Sequence, residues 1–235
     1  MYKRQIRAAV EQHNEVCRLI RAIGDFRKEA NPRVTGYEFH ILTLVSYVAP
    51  KHLIVDKLRE TLEEIKTREP DAADKYRARV VFVGSEVDDV DVIRLVEESG
   101  AYVCADRFCY GSLPGRDEIL LNDDEDVVKQ VCRQVQGRAQ CPRYWDMAKM
   151  TGRRDYVADL AKEYGADGII YEQMKFCDPW AYERMIGTIV LRDEHGYPVL
   201  AVDRPYSIGS SGQMRTRVQA FVESIEIKKI QGGKK

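Results

Sequence analysis

After Lys75 the chain alternates short β-branched runs with amphipathic helices, and this alternation limits the fold more than any other feature. Val80-Val81-Phe82-Val83 stops at Gly84, a helix spans about Asp89 to Glu98, and Ala101-Tyr102-Val103-Cys104 reads as a second strand. Val127, Val128, Val131 and Val135 mark one further helix and Tyr156, Leu160 and Tyr164 another, ahead of a third strand, Gly168-Ile169-Ile170-Tyr171. Pro179 opens the next helix, Pro198-Val199-Leu200-Ala201-Val202 is the last strand, and Met214, Val218, Phe221, Val222 and Ile225 stripe a final helix. The expected class is therefore α/β, a Rossmann or flavodoxin-like parallel four-stranded sheet with helices on both faces. In such sheets connections are right-handed and ligands collect outside the C-terminal ends of the strands.

The sheet is preceded by helices. Ile6, Ala9, Val10, Val16, Leu19, Ile20, Ile23 and Phe26 share one helical face, which Asn31-Pro32 ends. Thr35 and Glu38 have the spacing of a capping box, and Pro50 opens a third helix with Ile54, Leu58, Leu62 and Ile65 on one side. Residues 1–72 are expected to form a helical layer and residues 73–235 a Rossmann-like C-terminal domain. The first helix shows full periodicity within a few residues of Met1 and has no capping residue before it, so a longer chain with an N-terminal region outside this sequence is expected.

Composition removes several functions. Lys and Arg number 37 against 38 Asp and Glu, a net charge of -1, which leaves no basic field for nucleic acid or an anionic membrane. No apolar run approaches the roughly 20 residues that span a bilayer, and the start is not that of a signal peptide, so a cytoplasmic protein is expected. Six irregularly spaced cysteines do not make a secreted disulfide framework, which turns attention to thiol or metal chemistry.

The strand-end rule selects four loops: Gly84 to Asp88, Ala105 to Gly111, Glu172 to Trp180, and Asp203 to Gly212. In the third, Lys175-Phe176-Cys177-Asp178-Pro179-Trp180 places a thiol after a buried strand and before a helix whose N–H dipoles favour a thiolate. Cys177 is the leading candidate ligand, against the plainer reading of a half-buried thiol. Cys109 and Cys141 are second candidates; Cys104 reads as core, and Cys17 and Cys132 as packing residues on helices. The gap between Cys104 and Cys109 is that of the opening of a plant-type ferredoxin motif, but no Cys-x2-Cys follows it. The four histidines form no pair at zinc-ligand spacing. The fourth loop, Ser207 to Gln213, runs into a helix that carries Arg215 and Arg217; Ser211, Gln213 and Arg215 are candidate substrate contacts, able to cradle a phosphate or thioester oxygen, against the plainer reading of a Ser-capped turn with arginines paired to acids.

The same residues carry a family likeness. The stretches Ala166-Asp167-Gly168-Ile169-Ile170-Tyr171-Glu172, Lys175-Phe176-Cys177-Asp178-Pro179-Trp180, Pro198-Val199-Leu200 and Gly212-Gln213-Met214-Arg215-Thr216-Arg217, with Val83-Gly84-Ser85-Glu86 and Cys109-Tyr110-Gly111 upstream, resemble the C-terminal part of 2-hydroxyacyl-CoA dehydratase and benzoyl-CoA reductase subunits. The resemblance covers nearly the whole chain. It implies a lyase or reductase subunit that pairs with a second homologous subunit, holds a [4Fe–4S] cluster and takes an electron from an ATP-dependent activator protein with a cluster of its own. It further implies one-electron reduction of an acyl-CoA thioester, leading through a ketyl radical anion to dehydration, or to reduction of an aryl ring. Cys177 matches the family's C-terminal cluster cysteine. Its two partner thiols are implied to come from the N-terminal domain, with Cys109 or Cys141 as substitutes, so this chain alone is expected to be inactive. A non-catalytic partner subunit with the same fold is the alternative.

Overall fold

The computed structural model describes residues 2–72, 75–144, 146–206 and 211–232. Three helices come first: α1 (Tyr2–Asp25), prolonged by a 3₁₀ turn Phe26–Lys28, then α2 (Gly36–Val48) and α3 (Lys51–Thr67). The capping box at α2 is complete, with the Thr35 hydroxyl accepting from the Glu38 N–H at 3.0 Å and the Glu38 carboxylate accepting from the Thr35 N–H at 2.9 Å. Val16, Ile20, Ile23, Phe39, Ile54, Leu58 and Ile65 interlock as the core of this layer.

The α/β portion follows as β1 (Ala78–Val83), α4 (Val90–Glu98), β2 (Ala101–Arg107), α5 (Val127–Arg138), α6 (Met147–Glu163), β3 (Gly168–Met174), α7 (Asp178–Asp193), β4 (Val199–Arg204) and α8 (Ser211–Gly232). The four strands pair in parallel in the order β2-β1-β3-β4. One face carries α4 and α8, whose Val92, Ile93, Val96, Val218, Val222 and Ile225 pack on Val80 and Phe82. The other carries α6 and α7, with Val157, Ala161, Trp180 and Leu191 against Val81, Ile169 and Tyr171. Alternate residues of each strand thus feed different cores, which is why the runs are apolar without a period of two. The approach of α7 to β3 depends on Gly187, where a Cβ would stand 2.7 Å from the Tyr171 ring.

The order has a direct consequence for the site. The chain runs outward from β1 to β2, then crosses back over β1 to build β3 and β4 on its other side. The connections therefore diverge between β1 and β3, and a crevice opens there at the C-terminal edge. Strands β2, β3 and β4 also run two or three residues beyond their apolar runs, so Asp106, Arg107, Glu172 and Arg204, expected in loops, are strand residues and buried. Their charges are compatible with strand because each is met by hydrogen bonds from neighbouring strands and loops.

Candidate functional site

Three strand ends are tied together at the crevice. Glu172, at the end of β3, is fully enclosed at 0% exposure. Its Oε2 accepts the Ser85 N–H at 3.0 Å and the Ser85 hydroxyl at 2.9 Å, while Ser85 Oγ accepts the Met174 N–H at 2.6 Å. Arg204, the last residue of β4, places Nε 2.8 Å from Glu172 Oε1 and donates its other nitrogens to the carbonyls of Glu86, Pro205 and Tyr206. Gly84 makes room for this contact: a Cβ there would lie 2.6 Å from Glu172 Oε2. Burial pushes the Glu172 carboxyl up to about 7, against the pull of Arg204 and of the Ser85 donors.

Beside this tether the structure gathers three thiols. Cys109 follows β2 and is held by its N–H to the Ser85 carbonyl at 2.9 Å; Cys177 is the N-cap of α7; Cys141 stands in the segment between α5 and α6. All three are half-buried against the cluster that includes Val83, Ala105, Leu113, Tyr171 and Trp180. Burial pushes the Cys109 thiol up to about 12, and the neighbouring Cys141 and Cys177 sulfurs add to the shift. Cys177 is raised too, first by burial and then by Cys141 and Glu172. The Trp180 N–H and Arg143 pull it back, although the Cys177 sulfur completes no cap hydrogen bond. Cys109 and Cys177 thus lie within the field of their neighbouring thiols, and burial disfavours the thiolate of each.

Among the described residues no three Cys, His, Asp or Glu side chains close to the spacing that would hold a single metal ion. Cys109, Cys141 and Cys177 are the residues here whose chemistry would match an iron–sulfur cluster, which is held by Cys thiolates. Adjoining Cys141 and Cys177 is a cavity of about 490 Å³ walled by Pro142, Met150, Pro179, Tyr182 and Ile186. Its polar lining is Arg143, Arg153, Asp178 and Glu183, and Glu183 accepts from Arg153 at 3.0 Å and, behind the wall, from Arg154 at 2.9 Å.

A model of the 2-hydroxyglutaryl-CoA dehydratase, D-component, family matches residues 1–225. The chain belongs to this family. Its relatives include the beta subunit of (R)-phenyllactyl-CoA dehydratase from Clostridium sporogenes, 29% identical over 182 residues, 77% of this chain and 46% of that protein. One of the benzoyl-CoA reductase subunits of Thauera aromatica is 22% identical over 227 residues, 94% of this chain and 57% of that one. The beta subunit of (R)-2-hydroxyglutaryl-CoA dehydratase from Acidaminococcus fermentans is 26% identical over 180 residues, 74% and 46% of the two chains. The chain spans about half the length of the curated relatives it matches.

The remaining candidates of this dehydratase-family chain separate from the thiols. Gln213 is exposed at the rim of a small cavity of about 40 Å³ that Asp203, Arg204 and Arg217 also line, while Arg215 forms an ion pair with Glu98 at 2.7 Å. Residues 207–210 and the side chain of Ser211 lie outside the described residues. Cys104 is enclosed in β2, and burial pushes its thiol up to about 11; Cys17 is buried. Cys132, expected to pack, is instead exposed on α5. Sequence reasoning does not find the Ser85–Glu172–Arg204 tether as a unit, although a charged residue close after each of two apolar strand runs is a signal for it. No helix of the described residues is long and apolar enough to cross a membrane.

Proposed function

We propose that the chain is the cluster-bearing part of a subunit of a 2-hydroxyacyl-CoA dehydratase or benzoyl-CoA reductase-type enzyme, with Cys177 as a ligand of a [4Fe–4S] cluster. The observation that carries this reading is the meeting of Cys109, Cys141 and Cys177 at the strand-end crevice of a chain in this family. Their proximity favours Cys109 and Cys141 as companions of Cys177 over thiols from outside the sequence. When bound, such a cluster supplies one-electron transfer and, with three thiolates, an iron open to a thioester oxygen.

The chain's own residues serve this function in separable ways. The Trp180 N–H in the first turn of α7 offsets part of the burial that raises the Cys177 thiol, which eases formation of the thiolate that a metal requires. The tether of Glu172 to Ser85 and Arg204 fixes the ends of β1, β3 and β4, and with them the turn that carries Cys177 and, through the Ser85 carbonyl, the position of Cys109. The apolar cavity along Tyr182 and Ile186 suits an acyl or aryl group, and its volume lies within the range of small-molecule sites. A second homologous subunit and an ATP-dependent activator complete the proposed enzyme, as the beta-subunit names of the relatives support for the first.

The test is anaerobic reconstitution of the full chain with iron and sulfide, followed by iron analysis and electron paramagnetic resonance of the reduced protein. About four irons in the wild type, with loss of the cluster or an altered signal in Cys177→Ala, is the expected result. Absence of iron in the wild type, alone and with its partner subunit, would leave the non-catalytic scaffold as the better description.

A further inference from the structure

A second cavity, of about 440 Å³, opens along β2 between the end of α1, the segment after β2 and α6, and shares no lining residue with the cavity beside the thiols. Six of its lining side chains are basic and four acidic. The acids are already engaged. Asp106 holds Arg27 at 3.0 Å and Arg116 at 3.6 Å, Asp25 and Glu163 both hold Lys28, and Asp117 lies 3.9 Å from Arg21.

Two guanidinium groups remain without a carboxylate among the described residues. Arg107 is 3% exposed; it donates to the Ser112 carbonyl and the Gln140 side chain, stacks 4.2 Å above the Tyr156 ring, and its buried Nε has no partner. Arg138 reaches only the carbonyls of Asp117 and Glu118, at 2.7 and 2.6 Å, and the Gln134 side chain. A buried cation without a counter-ion costs several kcal/mol. Burial accordingly lowers the Arg107 pKa. Guanidinium groups at the wall of a cavity are the preferred partners of phosphate, which they bind through paired N–H donors. A phosphate group carries about two negative charges at neutral pH, matching the two unpaired arginines, whereas a single carboxylate would leave one of them uncompensated.

We infer that this cavity binds a phosphate-bearing small molecule, with Arg107 and Arg138 on the phosphate and the Tyr156 and Tyr164 rings walling the rest of the ligand. The inference stands whether or not the thiols hold a cluster.

Isothermal titration of the full chain at low ionic strength, with inorganic pyrophosphate as the probe and citrate as an anion lacking phosphorus, tests it. Wild type is expected to bind pyrophosphate more tightly than citrate. Arg107→Gln and Arg138→Gln are each expected to weaken pyrophosphate binding tenfold or more, and Arg59→Gln, an exposed arginine on α3 away from the cavity, to leave it unchanged. Should Arg107→Gln fail to fold, the half-exposed Arg138 supplies the decision alone. No binding by wild type, equal binding by the cavity variants, or citrate bound as tightly as pyrophosphate would overturn the assignment.

Discussion

Arg204 and Glu172 are enclosed at 6% and 0% exposure, so neither charge has water to fall back on. Arg204→Met should therefore destabilise the chain by about 3–5 kcal/mol in urea unfolding, because it leaves the Glu172 carboxylate buried and uncompensated. Replacing both residues, as Arg204→Met with Glu172→Leu, should recover much of that loss, and a double-mutant cycle reads the difference. Gly84→Ala should cost about 1–3 kcal/mol by driving a methyl group against the Glu172 backbone carbonyl as well as its carboxylate. These residues also mark what is legible in the sequence. Cys177 is recognisable because it stands alone between a strand and a helix. Glu172 and Arg204 look like ordinary loop charges, since the partner of each lies on another strand and nothing local records the pairing. The meeting of Cys109 and Cys141 with Cys177 is hidden for the same reason, being a product of the crossover from β2 to β3.

Elements are easier to read than contacts. Helical and strand periods are local properties, so each helix and strand after Lys75 overlaps the apolar pattern that marks it, although the strand ends extend beyond their runs and α6 starts at Met147, well ahead of Tyr156, and ends before Tyr164. The Thr35 capping box is visible from two residues three apart, and Thr35→Ala should lower stability by about 1 kcal/mol, measurable by the urea midpoint. The turn before α7 departs from local rules. Phe176 has φ of 71° and is 97% exposed, a left-handed backbone carrying a large ring that packs on nothing among the described residues. Phe176→Gly should stabilise the isolated chain by about 1 kcal/mol, since glycine takes this conformation without penalty. A loss of stability instead would mean that the ring has a partner that the backbone argument ignores.

Over the whole molecule, the helical layer meets the sheet around His40, which is 3% exposed, stands edge-on to Phe108 at 5.1 Å, and has neither ring nitrogen hydrogen-bonded among the described residues. Burial lowers its pKa to about 4, with Asp106 and Asp88 opposing the shift and Arg116 and Arg27 adding to it. The unfolded chain takes up a proton near 6.5, so the folded state gains stability from neutral His40 above that pH and loses it as pH falls toward 4, by about 3 kcal/mol in all. Urea unfolding at pH 7.5 and pH 4.5 should show this loss in the wild type and a smaller one in His40→Gln.

The two outer strands of the sheet are unequal. Every residue of β2 is buried, whereas β4 is mostly half-exposed, and among the described residues no strand lies beyond it. A sheet with one covered margin and one open margin can be extended in a single direction. Strand addition by another chain, whether in ordered assembly or in aggregation, is confined to the β4 side, where the exposed charge of Asp203 resists it.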